Sequence, residues 1–313
     1  MTDPIKGATT NPPMPATKAD APPPPPPSAT ESESQLLSCP KTLLMGPPGS
    51  GKTDSLTTYI EAGLDLFVII TDPGGDESLI DAVKRRKLDI NKLHYYYLSP
   101  ASPSWDTLGK MAKKIGLMGY DDLSKLKTGI EKSDYQQYFK LIALCGNFID
   151  QRTGKEFGPI DSWGEDRAFA LDSLSGVNTM AMDMVLGAKP TAHQGEWGVA
   201  MSAEEKLIKK LCSDLKCFFT LTAHIEREPN EITGVPTISV GALGRKLAPK
   251  LPKDFSDAVL QVKTEAGFFW STQENNTDLK ARTLPLSSKL QPSFCQVVDS
   301  WRKRKELATS TSN

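Results

Sequence analysis

Thr42-Leu43-Leu44-Met45-Gly46-Pro47-Pro48-Gly49-Ser50-Gly51-Lys52-Thr53 is the stretch on which the fold turns. Its first four residues read as a short apolar strand, and residues 52–62 keep helical spacing until Gly63 stops it. Between strand and helix, Gly46, Gly49 and Gly51 let backbone N–H groups turn inward around phosphate oxygens, with Pro47, Pro48 and Ser50 completing the loop. Lys52 reaches the outer phosphates. Thr53 offers a hydroxyl to Mg²⁺ at the start of a helix whose N-terminus favours anions. Strand, glycine-rich loop and helix together are the context a phosphate-binding loop requires, so the stretch predicts ATP and Mg²⁺ as ligands.

Moving outward, residues 66–70 form a continuous apolar run closed by Asp72-Pro73-Gly74-Gly75, the pattern of an internal parallel strand ended by a turn. A helix is expected over 76–87, a strand over 93–98, and helical segments over 104–116 and 121–150 as an elaboration beside the sheet. Residues 167–172 are the next internal strand, with Asp172 at its end. Helices follow at 176–187 and 200–214, separated by the glycine-broken loop His193-Gln194-Gly195-Glu196-Trp197-Gly198. Residues 217–222 make a further strand leading to His224, and two late strands at 259–262 and 268–270 flank a turn at Glu265-Ala266-Gly267. Alternating strands and helices predict an α/β domain with a mostly parallel central sheet flanked by helices.

Residues 1–37 carry the run Pro22-Pro23-Pro24-Pro25-Pro26-Pro27 and little that could repay the entropy of ordering, so a disordered tail is expected, serving as a linker or a docking strip. The ATPase domain then spans 38–292, and 293–313 reads as a basic segment with a frayed end after Trp301-Arg302-Lys303-Arg304-Lys305. In a chain of 313 residues, 38 % hydrophobic content suffices for one large core. The 38 acidic and 37 basic residues cancel, so any nucleic-acid surface must be local. Five cysteines without paired metal spacing read as buried free thiols of a reduced, cytoplasmic protein, and no apolar run reaches membrane-spanning length.

Several residues beyond the loop are placed for chemistry. An acid ending a strand that neighbours the loop strand can hold the Mg²⁺ water shell, which assigns Asp172 to the metal; the competing role is capping the next helix, which Ser173 or Ser175 could do instead. No Glu follows Asp172, so the acid that orients the attacking water must come from elsewhere. Glu77 is the first choice, with Asp72 and Asp76 close behind, and each could equally be an ordinary turn or first-turn acid. His224 either senses the outer phosphate or makes a local hydrogen bond. Downstream, Arg245, Lys246, Lys250 and Lys253 lie in a glycine-containing basic stretch that could grip DNA phosphate, enter the ATP site of the next subunit, or form a plain surface loop.

The phosphate-binding loop, the strand ending in Leu171-Asp172-Ser173-Leu174-Ser175-Gly176 and the strand ending in Leu221-Thr222-Ala223-His224 together resemble the RecA-like P-loop core. More closely, the chain resembles phage-encoded RecA-like ATP-binding proteins associated with recombination and single-strand annealing. Thr71-Asp72-Pro73-Gly74-Gly75, Glu196-Trp197-Gly198 and Leu279-Lys280-Ala281-Arg282-Thr283 carry that likeness, which covers residues 40–292. The resemblance implies ATP-dependent self-assembly on single-stranded DNA as a ring or filament, slow DNA-stimulated hydrolysis, and a phage replication or recombination protein as partner in the host cytoplasm. It puts His224 at the phosphate-sensing strand end and 225–250 at a DNA-facing or subunit-facing loop. The chain departs from the pattern at the catalytic acid, and its proline-rich start is unlike a compact polymerisation domain. A nucleotide-switched loader and a helicase or packaging motor are the alternatives, the motor disfavoured by the missing acid beside Asp172.

Overall fold

The protein is described by a computed structural model at residues 37–119, 121–122, 132–189, 191–229 and 234–311, so the tail expected over 1–37 lies outside the described residues except for Leu37. In chain order the first elements are β1 (Lys41–Met45), α1 (Lys52–Leu56), α2 (Thr58–Glu61), β2 (Asp65–Ile70), α3 (Gly75–Arg85) and β3 (Leu93–Tyr97). The elaboration follows as α4 (Trp105–Gly116) and α5 (Gln137–Gly146), then β4 (Arg167–Asp172), α6 (Leu174–Leu186), α7 (Gln194–Asp214) and β5 (Phe218–Ala223). A hairpin of β6 (Ile225–Glu228) and β7 (Thr237–Val240) leads to α8 (Leu251–Asp254), β8 (Asp257–Thr264), β9 (Gly267–Ser271) and α9 (Cys295–Thr311).

Seven strands form the main sheet in the order β3-β2-β4-β5-β1-β8-β9. All pair in parallel except β9, which runs antiparallel to β8. The apolar runs are continuous because both faces are covered. Leu43, Phe67, Ile69, Phe169, Leu171 and Phe219 face a layer built from α5 to α8. Their neighbours Leu44, Leu66, Val68, Ala168, Ala170 and Phe218 face α1, α2, α3 and α9. Each such fully buried large side chain contributes about 1.5–3 kcal/mol. Among the described residues no helix is long and apolar enough to cross a membrane. All five cysteines are free.

Four segments differ from the sequence expectation. The helix expected over 121–150 spans, among the described residues from 132 onward, only Gln137–Gly146 and a short turn at Lys132–Asp134, with Ile149 bridged to Glu156; three others follow. The stretch 193–198 is the start of α7 and not a loop. Glu196 accepts the His193 N–H at 2.8 Å and pairs with Lys189 at 2.7 Å, offsetting the roughly 1 kcal/mol that each of Gly195 and Gly198 costs a helix. The carboxyl end does not fray after Lys305: α9 continues to Thr311, anchored where Val297, Val298 and Trp301 are buried and the Trp301 ring meets Phe218 edge-on at 5.2 Å. The stretch 225–250 contains the β6–β7 hairpin, and Leu243, Leu247 and Ala248 then enter the core.

Candidate nucleotide site

Four parallel strands deliver the site from their carboxyl ends, where open α/β sheets place ligands. The loop 46–53 follows β1, Asp72 follows β2, Asp172 ends β4, and His224 follows β5. With Gly74, Gly75, Ser78, Asp81 and Arg85 of the β2–α3 turn and α3, they line one cleft of about 470 Å³.

The loop is held by its glycines and by a brace from β8. Gly46 donates its N–H to the Ala223 carbonyl at 3.1 Å, and a Cβ there would stand 2.7 Å from the Gln261 carbonyl oxygen, closer than any side chain tolerates. Gly49 and Gly51 take φ of +69° and +89°, the left-handed region that glycine enters without strain. Buried Gln261 donates from Nε2 to the Ser50 carbonyl at 2.7 Å, while its Oε1 accepts from Ser55 at 3.1 Å and from the Trp270 indole at 3.0 Å. The brace fixes the loop without a charge. Sequence reading missed Gln261, whose only signal was a polar residue amid an apolar strand.

Lys52 donates from Nζ to the carbonyls of Gly46 at 2.9 Å and Pro47 at 3.0 Å, and lies 3.5 Å from His224 Nδ1. Burial pushes its ammonium below the ordinary lysine value, and the Asp172 and Asp72 carboxylates oppose that shift. Thr53 donates its hydroxyl to Asp172 at 2.8 Å, and Thr222 of β5 donates to the other carboxylate oxygen. Burial raises the Asp172 pKa; the two threonine hydroxyls pull it down. Ser173, not Asp172, caps α6, its side chain accepting the Ser175 N–H at 3.3 Å. One expectation is corrected: β4 does not neighbour β1, since β5 lies between them, and Thr53 reaches Asp172 past that intervening strand.

Among the acids of the β2–α3 turn, the cleft takes Asp72. Its carboxylate accepts from the Ser173 hydroxyl at 2.7 Å and stands 3.5 Å from His224 Nε2, so the imidazole bridges Lys52 and Asp72. Glu77 is exposed, and neither it nor Asp76 lines the cleft. The reason is local: α3, capped by Gly74 at φ +73°, turns the face that carries Gly75, Ser78, Asp81 and Arg85 to the cleft, and Asp76 and Glu77 lie off that face. Arg85 and Asp54 line the cleft as an ion pair that sequence reading did not single out.

His224 also looks outward. Its carbonyl accepts the Gly241 N–H at 2.8 Å, and the Gly241 carbonyl accepts from Asn178 at 3.1 Å, tying the strand end to the segment after the hairpin. Arg245, Lys246, Lys250 and Lys253 are all exposed and do not line the cleft of their own chain. Arg245 pairs with Glu228 at 3.2 Å and Lys250 with Glu205 at 3.3 Å.

These residues fit a Mg²⁺–triphosphate group. The glycine conformations open the loop's N–H groups, Lys52 supplies positive charge, and Thr53 with Asp172 supplies the one or two protein oxygens that Mg²⁺ takes beside phosphates and water. Among the described residues no group of three or more His, Cys, Asp or Glu is placed to hold a metal ion by itself. No protein-family model matches this chain, and no curated protein matches it.

Proposed function

We propose that the chain is a RecA-like P-loop ATPase that binds ATP with Mg²⁺, hydrolyses it slowly, and uses the cycle to handle single-stranded DNA in phage recombination or repair. The observation that carries the ATPase reading is the Thr53–Asp172 hydrogen bond of 2.8 Å, made beside Lys52 by residues far apart in the chain. The quoted motifs at 46–53, 171–176 and 221–224 support the RecA-like assignment, and with it the DNA and self-assembly readings.

Mg²⁺ held by Thr53 and Asp172 would neutralise charge developing on the phosphates. The chain's own groups do the rest. The loop N–H groups and Lys52 hold the β- and γ-phosphates, and Asp72 orients a water whose oxygen attacks the γ-phosphorus. The bond to the bridging oxygen breaks, ADP and phosphate leave, and the water's proton passes to Asp72 or solvent. His224, in contact with both Lys52 and Asp72, reports the outer phosphate to the hairpin and the segment after it.

The deciding experiment is ATPase rate against protein concentration, with and without single-stranded DNA, on the parent and on Lys52→Ala. The parent should hydrolyse ATP faster with DNA and at higher concentration, and the variant should not hydrolyse it; near-normal hydrolysis by the variant ends the P-loop assignment. The His224 connection also favours a second reading, a nucleotide switch that holds a protein partner. Hydrolysis indifferent to DNA, with nucleotide-dependent binding of another protein, would select it.

A further inference from the structure

Among the described residues, α4 is the one long helix with no buried residue. Trp105, Leu108, Met111, Ala112 and Ile115 nevertheless recur at helical spacing and form an apolar stripe. Trp105 is 90 % exposed, and Leu117 just past the helix end is 88 % exposed. An apolar stripe of this kind, left in water, marks a surface that another surface covers. The polar side is basic: Lys110 pairs with Asp106 at 2.6 Å, while Lys113 and Lys114 make no ion pair among the described residues.

Elsewhere the same chain carries a second partly exposed apolar surface. Ile142, Cys145, Ile160, Leu207 and Leu211 line a crevice of about 190 Å³ between α5 and α7. Ile142 and Phe139, one turn apart on α5, are 44 % and 53 % exposed beside it. Its rim carries two carboxylates, Asp161 and Asp214, and one ammonium, Lys210, against three lysines and one aspartate on the helix. Asp214 is held by Lys210 at 2.6 Å, and Asp161 makes no ion pair among the described residues.

We infer that α4 of one copy docks in the α5–α7 crevice of the next, with Trp105 and Leu108 as the apolar anchors and Lys113 or Lys114 facing Asp161. Helix in groove is a recurrent recognition geometry, and buried tryptophan is a frequent energetic anchor. The two surfaces are different patches of one chain, so the contact is head-to-tail and generates rings or filaments, not closed two-fold pairs. This deepens the self-assembly reading above, and neither surface belongs to the nucleotide cleft.

The test is sedimentation of the full chain through the micromolar range, on the parent, on Trp105→Ser/Leu108→Ser, on Ile142→Asp and on Lys52→Ala. Unchanged melting curves would establish that the variants fold. The parent should form a concentration-dependent series of oligomers, and either surface variant should need at least about tenfold more protein to assemble. Mixed in equal amounts, the two surface variants should form a dimer and nothing larger, because only one intact helix and one intact crevice remain to meet. Sedimented without nucleotide or DNA, Lys52→Ala should assemble like the parent, which separates this contact from the cleft. A parent that hydrolyses ATP as a monomer, surface variants that assemble normally, or mixed variants that stay apart would each overturn the docking. So would parent binding to phosphatidylserine vesicles that Trp105→Ser/Leu108→Ser abolishes without any change in assembly.

Discussion

Asp72 and Glu77 belong to the same acidic turn, yet only Asp72 meets Ser173 and His224 at the cleft. Asp72→Asn should therefore lower kcat by about 100-fold or more, the range for losing a positioned acid–base group, with nucleotide affinity nearly kept. Glu77→Gln should stay within about twofold of the parent, as an exposed surface change does. Steady-state kinetics on both variants decides between them, and the opposite ranking would return the role to Glu77. Asp172→Asn keeps shape while removing the charge that Thr53 and Thr222 hold in place, so a magnesium titration should show hydrolysis falling with nucleotide affinity largely spared. A titration that matched the parent would leave Asp172 a structural residue. The loop's conformation was legible in the sequence because it is built by consecutive residues between one strand and one helix. Which acid of the turn lines the cleft was not, because that depends on which face of α3 meets it. Gln261 and Thr222 were equally hidden, arriving from strands far along the chain.

At the level of elements, α7 carries a buried carboxyl in an apolar layer. Burial pushes Glu204 from the ordinary 4.5 up to about 8, with the Leu243 amide pulling the other way. The folded form holds its proton where the unfolded chain has lost it, so the stability is complete below 4.5 and declines as pH rises toward 8. Glu204→Gln should flatten that decline, raising the melting temperature at alkaline pH by about 2–4 °C for each kcal/mol regained. Thermal melts of both proteins across pH check it, and parallel curves would refute it. At the carboxyl end, Trp301→Ala should cost about 3–5 kcal/mol, the range for deleting a large buried side chain, because the ring packs on Phe218. Chemical denaturation measures the loss. Strand existence was legible because unbroken apolar runs such as 66–70 and 168–171 suit a doubly covered sheet. The start of α7 was not, since Gly195 and Gly198 lower local helix propensity that the Glu196 bonds to His193 and Lys189 offset, and the end of α9 was not, since Trp301 packs on Phe218 far away in the chain.

For the whole molecule, near-zero net charge confines any electrostatic grip on DNA to a local patch. If Arg245, Lys246, Lys250 and Lys253 form that patch, replacing all four with neutral residues should weaken single-stranded DNA binding irrespective of sequence. The salt dependence should flatten by about 0.7 in log–log slope for each lost phosphate contact. Binding isotherms at several salt concentrations test this, and an unchanged slope places the DNA elsewhere. The strand order carries one more consequence. β1 is hydrogen-bonded to β5 on one side and to β8 on the other, whereas β3 at the sheet edge pairs only with β2. The glycine-rich loop 46–53 is therefore rooted in the part of the sheet least able to open on its own. In deuterated water the amides of Leu43, Leu44 and Met45 should exchange only when the whole sheet comes apart, and a nucleotide held by that loop should slow them by the full free energy of its binding.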